Sequence, residues 1–280
     1  MHAQTVEGIE GAQEAPQISY WKETRHPLYS LALVLPFVAV YEVGIILMRS
    51  EFINGGDAIV RTLFGRFFYL VGVKVSFISL AILLAYLLFD QIKKKAPWRI
   101  DVQTLLTAFF ESLIWAVLLF LLLSHTAPYL PKNSTTAAPP VATRGSESSP
   151  VPAARRDMAS KEVKEAAPSG PQLQDFILYC GAGVYEELVF RVFLFGLLML
   201  VLRHLFHMES AYAAVWSVVL AALIFSAFHH IGGEMFTWSR FLQRVVAGLF
   251  FAAIYVTRSF GVAAASHSMY DIVVGLNYCV

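Results

Sequence analysis

Seven long blocks of apolar residues dominate this sequence and limit what it can fold into. The blocks lie at residues 28–48, 67–89, 105–124, 176–206, 211–228, 241–256 and 262–278. A helix rises about 1.5 Å per residue, so about 20 apolar residues cross the hydrocarbon core of a bilayer. Only 15% of the residues are charged, compared with about 25% in soluble proteins. We therefore predict an all-α, polytopic transmembrane helical bundle with seven or eight spans.

The polar stretches divide the chain into four parts. We predict a polar N-terminal tail at 1–27, three N-terminal transmembrane helices at 28–130, a flexible linker at 131–174 and a C-terminal transmembrane domain at 175–280. The linker is rich in Pro, Ala and Ser, a composition that buries too little apolar area to become ordered, so we expect a disordered loop between the third and fourth spans.

The block at 176–206 is too long for one untilted crossing of the bilayer. Gly181 and Gly183 predict a kink or break just before Tyr185, which would separate an interfacial piece from a true span. The basic residues after the second block, Lys93 to Lys95 and Arg99, favour a cytoplasmic position for that loop and for the N-terminus. We expect a multi-pass protein of the bacterial plasma membrane.

Charge and motifs exclude several classes of function. The net charge is +1, a near-neutral balance that gives no basic face, and the sequence contains no phosphate-binding glycine loop or metal-spaced cysteine pair. Proteins that bind nucleic acid usually carry a basic face. We therefore expect no nucleic-acid partner.

Three charged residues lie in the middle of the fourth apolar block, in the sequence Tyr185-Glu186-Glu187-Leu188-Val189-Phe190-Arg191. A charge in the middle of a bilayer costs about 2.5 kcal/mol or more, so such residues usually have a function. Glu187 and Arg191 are four residues apart, lie on one helix face and can neutralise each other. This pairing leaves Glu186 without a local partner, as a candidate general base. A structural ion pair is the alternative for Glu187 and Arg191.

Further polar residues lie in the last apolar blocks. Phe225 and His229 stand four residues apart at the end of one block, and His267 and Asp271 have the same spacing in the last block. His230 fits an interfacial residue better than a catalyst. Further charged residues lie in apolar blocks, among them Glu42, Lys74 and Glu111. We expect Lys74 to reach the membrane surface, and Glu111 either to pair with it or to line a cavity.

Taken in order, these residues resemble the EExxxR, FxxxH and HxxxN/D motifs of the CPBP family. This family contains CAAX prenyl proteases and bacteriocin-processing enzymes, and its members are also called Abi proteins or intramembrane glutamic endopeptidases. The resemblance covers about residues 175–280. It implies that Glu186 activates water together with His229, and that Glu187 and Arg191 order the helix. It also implies that His267 and Asp271 complete the site.

The resemblance implies hydrolysis of a peptide bond in a membrane-associated protein or peptide, without a covalent intermediate and without a cofactor. Asp271 stands where the best-known prenyl proteases carry Asn, so a donor role for its side chain requires a proton on the carboxyl group or action through His267. We expect Glu186, His229, His267 and Asp271 to converge in one water-accessible cavity between the last four spans.

Four alternatives remain open at the level of the sequence. A zinc-dependent hydrolase would use Glu187, His229 and His267 as ligands, although the HExxH motif is absent. A serine protease would use Ser226, Ser266 or Ser268. A non-catalytic scaffold or immunity protein would use the polar residues only for helix association. A transporter would need paired broken spans, which the sequence does not show.

Overall fold

The structure, a computed structural model, describes residues 19–48, 57–59, 77–129, 173–231 and 236–277. All regular elements in these ranges are helices, which confirms the all-α prediction. The longer elements are α1 (Tyr20–Glu23), α2 (Pro27–Met48), α3 (Ile78–Lys93), α4 (Val102–Thr126), α5 (Leu173–Glu187), α6 (Phe195–His204), α7 (Ser210–Ile231), α8 (Trp238–Thr257) and α9 (Phe260–Asn277). A π-helical segment, Leu188–Leu194, joins α5 to α6.

Four of the described helices are long and apolar enough to cross a membrane. They are Pro27–Met48, Val102–Tyr129, Ser210–His230 and Trp238–Thr257. The protein is therefore an integral membrane protein, as predicted. The number of spans stays a prediction, because residues 67–76 of the second block lie outside the described residues. Most of the predicted N-terminal tail and of the predicted linker also lies outside them.

Helix α4 shows how a membrane helix divides its apolar residues between protein and lipid. Its first turn is capped by Asp101, which accepts a hydrogen bond from the backbone N–H of Thr104 at 2.7 Å, and this bond lowers the pKa of Asp101. One face is buried, at Ala108, Ser112, Ala116, Leu119 and Leu123. Another face exposes large apolar side chains, at Leu106, Phe110, Ile114 and Leu121. A face of this kind is suited to contact with lipid tails.

Helix α9 lies in the interior of the bundle and packs against α2, α4 and α5. All its residues from Phe260 to Met269 are buried. Small residues make this possible, because the run from Gly261 to Ser268 contains six Gly, Ala or Ser residues. Small residues let membrane helices approach closely. His267 and Asp271 are thereby held between neighbouring helices.

The predicted break at Gly181 and Gly183 is wrong, because α5 continues through both residues as a regular helix. Each glycine instead lets another element approach, since an added Cβ atom would overlap the ring of Tyr41 at Gly181 and the backbone of Ser268 at Gly183. The irregularity comes later, in the π-helical segment that begins directly after Glu187. Such π-helical turns are frequent at functional sites.

Glu111 pairs with Arg258, a partner that was not predicted from the sequence. Its carboxylate accepts hydrogen bonds from Nε and Nη2 of Arg258 at 2.5 and 2.6 Å and from the hydroxyl of Tyr20 at 2.5 Å. The guanidinium group also lies 3.8 Å from the ring centroid of Trp21. This cluster connects α1, α4 and the turn between α8 and α9 at one end of the bundle. Lys74 lies outside the described residues.

Candidate active site

A cavity of about 430 Å³ lies between α4, α5, α7, α8 and α9. Four of the polar residues predicted for the site line it, namely Glu186, His229, His267 and Asp271. The structure thus brings together side chains from three helices that are up to 85 residues apart in the sequence. Helix α4 contributes Leu123, so the cavity is not formed by the last four spans alone.

The two consecutive glutamates have different surroundings. Glu187 is fully buried, and each of its carboxylate oxygens lies close to a nitrogen of another side chain. Its Oε2 lies 2.9 Å from Nε of Arg191, and its Oε1 lies 2.8 Å from Nδ1 of His267. Arg191 also donates from Nη2 to the carbonyl of Gly248 at 3.2 Å. Glu187 and Arg191 therefore form the expected ion pair, and this pair connects α5, the π-helical segment, α8 and α9.

Glu186 faces the cavity and two imidazole rings. Its Oε2 lies 3.8 Å from Nε2 of His229 and 4.0 Å from Nε2 of His267. These distances exceed a direct hydrogen bond, but they are within reach of a single bridging water. Glu186 is 8% exposed, so the carboxylate is largely withdrawn from solvent while its oxygen points to the cavity.

The orientation of His229 follows from a contact within its own helix. Its Nδ1 lies 2.9 Å from the carbonyl oxygen of Phe225. Since a carbonyl only accepts hydrogen bonds, Nδ1 carries the proton in this contact. In the neutral ring Nε2 is then an acceptor, and this atom faces Glu186. The ring of Phe225 also packs edge-on against His229, with the centroids 4.8 Å apart.

His267 is held on two sides. Its Nδ1 contacts Glu187, and its ring stacks on Phe251 with the centroids 4.3 Å apart and the planes at 17°. These contacts direct Nε2 toward the cavity. Asp271 lies one turn further along α9, with Oδ2 at 3.6 Å from this Nε2. The spacing of four residues therefore brings the two side chains near each other, but beyond a direct hydrogen bond.

The three serines near the motifs bond to backbone carbonyls. Ser226 donates to Phe241 at 2.7 Å, Ser266 to Val262 at 2.7 Å and Ser268 to Cys180 at 3.1 Å. None of these hydroxyl groups lines the cavity described above. The arrangement therefore gives no support to a serine nucleophile at this site.

Comparison with known protein families agrees with the motifs. Residues 169–273 match the family model for type II CAAX prenyl endopeptidase Rce1-like proteins. This segment is similar to the Rce1-like family. The match includes all six predicted site residues and covers a little over a third of the chain. The resemblance to CAAX proteases is thus confirmed, and the family is one of intramembrane endopeptidases. No curated protein and no solved structure gives a significant match to the chain.

The residues of the Rce1-like segment fit the suggested zinc site poorly. Among the residues that the structure describes, no three His, Cys, Asp or Glu side chains are arranged to hold a metal ion. In the set Glu187, His229 and His267, the carboxylate is already used by Arg191 and by Nδ1 of His267. A zinc ligand set would have to break one of these contacts.

Helix α8 contributes polar residues to this cavity that were not predicted from the sequence. Arg240, Gln243 and Arg244 line the same cavity as Glu186 and Asp271. They lie in the first two turns of an apolar span, a position that is typical of interfacial residues in a sequence. Their spacing of three and four residues, which places them on one helix face, was the available signal.

Proposed function

We propose that this protein is an intramembrane endopeptidase that hydrolyses a peptide bond of a membrane-associated protein or peptide with a water activated by Glu186. The observation that supports this most strongly is the division of the glutamate pair. Glu187 is committed to Arg191 and His267, whereas Glu186 faces the cavity and two imidazole rings. A carboxylate within one water of the reacting atoms is suited to act as a general base.

In the first step, Glu186 takes a proton from a water, and the water oxygen bonds to the carbonyl carbon of the substrate. Nε2 of His229 lies 3.8 Å from Oε2 of Glu186, close enough to contact the same water. A water held by both groups has a fixed orientation, which lowers the entropic cost of the attack.

In the second step, the carbon–nitrogen bond of the tetrahedral intermediate breaks, and the proton taken up by Glu186 passes to the leaving amine. His267 presents Nε2 to the cavity because Nδ1 is bonded to Glu187. When Nε2 carries a proton, it donates to the oxygen that becomes negatively charged. Before the substrate binds, Asp271, with Oδ2 3.6 Å from this Nε2, accepts a hydrogen bond from it through a bridging water and so orients the ring. No covalent enzyme intermediate is needed.

For the substrate, we propose a peptide or protein of the CAAX type that reaches the site at the membrane. The family match and the position of the cavity between apolar helices support this proposal. We propose a bacterial plasma membrane as the location and no requirement for a metal.

The proposed activity is tested with the full-length protein in nanodiscs. The substrates are a farnesylated peptide that ends in cysteine, two aliphatic residues and one further residue, and the same peptide without farnesyl. Mass spectrometry of the products detects cleavage. We expect cleavage by the wild type, and a rate lower by about 10²–10⁴ for Glu186→Gln. The matched control is Glu209→Gln, because Glu209 is exposed and lies between α6 and α7. We expect this variant to keep wild-type activity.

A second arm separates the alternatives. Preincubation with EDTA or 1,10-phenanthroline leaves the activity unchanged if no metal takes part, and abolishes it if the site uses zinc. A scaffold or immunity protein would give no difference between the wild type and Glu186→Gln. Equal product formation by these two proteins would therefore contradict the proposed function.

A further inference from the structure

Helix α8 places a basic face on the catalytic cavity. Arg240, Gln243, Arg244, Ala247 and Phe251 follow the helical spacing of three, four, seven and eleven residues, and all five line the cavity. The deeper end of this face carries the small residue Ala247 and the aromatic residue Phe251, whose ring stacks on His267. The end nearer the start of the helix is polar and carries two guanidinium groups.

The two arginines differ in depth. Arg240 is exposed, whereas Arg244 lies one turn further along the helix and is only partly exposed. Arg244 lines the same cavity as Glu186 and His229. An arginine side chain that only extended to the membrane surface would not line the cavity.

We propose that Arg240 and Arg244, together with Gln243, bind a carboxylate of the peptide substrate and thereby set where the chain is cleaved. This inference rests on the proposed function and adds a specificity site to it. A guanidinium group presents N–H donors in a planar fork that matches a carboxylate. Gln243, between the two, adds an amide N–H donor.

The size of the cavity limits the distance between this carboxylate and the bond that is cleaved. A cavity of about 430 Å³ holds only a few residues of a peptide, and it contains Glu186 as well as Arg244. The carboxylate therefore lies within a few residues of the scissile bond. It belongs either to the C-terminus of the substrate or to an acidic side chain close to the cleavage site.

Three peptides of one sequence distinguish these two sources. The first has a free C-terminal carboxylate and no acidic side chain, the second is its C-terminal amide, and the third is the amide with one glutamate beside the scissile bond. Binding to the Glu186→Gln protein in nanodiscs is measured by fluorescence anisotropy, and KM and kcat are measured with the wild type. All measurements are made in phosphatidylcholine alone and with added phosphatidylglycerol.

We expect either the peptide with the free C-terminal carboxylate or the amide with the glutamate to bind about 10-fold or more tightly than the plain amide. Hydrogen bonds to a charged group usually give an effect of this size. Arg244→Gln removes this preference, Arg240→Gln reduces it, and Arg244→Lys retains part of it. The effect lies in KM, and kcat and the affinity for the plain amide change little. Arg203→Gln, an exposed arginine near the end of α6, is the matched control and keeps the preference.

Equal affinity for all three peptides would overturn the proposal, and so would an Arg244→Gln variant that weakens all of them alike. An effect of the arginine variants that appears only with phosphatidylglycerol would assign the two groups to lipid headgroups and also contradict it. Selective binding without cleavage by the wild type would refute the proposed function and leave the carboxylate site intact. Arg240→Gln, at an exposed position, keeps the test valid if Arg244→Gln does not fold.

Discussion

Nδ1 of His267 lies 2.8 Å from Oε1 of Glu187, and this contact connects two motifs that are 80 residues apart in the sequence. It gives Glu187 a second partner besides Arg191 and directs Nε2 of His267 toward Glu186. The neighbouring glutamates are thus separated into a residue that positions the site and a residue that faces the cavity.

The first prediction concerns these two glutamates. Glu187→Gln leaves Arg191 as a buried charge without its counter-charge, so the protein loses about 3–5 kcal/mol of stability as well as activity. Glu186→Gln removes the proposed base but no ion pair, so it loses activity and keeps its stability. Thermal unfolding in detergent and peptide cleavage are measured for both. Equal destabilisation by the two substitutions would show that Glu186 also has a structural role.

The second prediction concerns His229. Replacement by glycine removes the ring beside Glu186, and we expect the cleavage rate to fall by about 10²–10⁴. Because the ring is at the edge of the cavity, with 25% of the side chain exposed, added imidazole should restore part of the rate. His230→Ala is the control, since His230 packs against Phe236 and is absent from the cavity lining. Loss of activity in that control as well would point to damage of the helix end.

The third prediction concerns Asp271, whose role is the least defined of the site residues. In the proposed mechanism it acts on His267 as an acceptor, and the amide oxygen of Asn can also accept a hydrogen bond. Asp271→Asn should therefore keep most of the activity, whereas Asp271→Leu, of similar size, should lose it. If both variants are equally inactive, the negative charge itself is needed.

The fourth prediction concerns the cluster around Arg258. Arg258→Gln leaves Glu111 as a largely buried carboxylate without a counter-charge and should cost about 3–5 kcal/mol. Burial and the bond to Glu111 raise the pKa of Tyr20, so its hydroxyl stays a donor throughout the pH range of the assay. Asp90→Asn, which removes an exposed ion pair with Lys94, is the control and should cost about 0–1 kcal/mol. Similar losses in unfolding temperature would contradict this account.

The helices and most of the site residues were predictable because membrane spans consist mainly of apolar residues. Charged residues are rare in spans, so Glu186, Glu187 and Arg191 stand out, and a spacing of four residues places His267 and Asp271 on one face. The predicted convergence of four site residues followed from these patterns, and the structure places them around one cavity.

Long-range partners and backbone irregularities were not predictable from the sequence. Arg258 lies 147 residues from Glu111, and no local pattern connects them. The π-helical segment Leu188–Leu194 contains no Gly or Pro that would indicate an irregular backbone. Arg240 and Arg244 resemble ordinary interfacial residues until the structure shows which cavity they line.

The most direct test of the central claim compares cells that contain the wild-type protein with cells that contain Glu186→Gln at equal abundance. The N- and C-terminal peptides of membrane and secreted proteins are identified by mass spectrometry in both. The account predicts at least one new terminus that is present with the wild type, absent with Glu186→Gln and restored by the wild-type gene. Identical sets of termini in the two cell types would contradict proteolysis by Glu186.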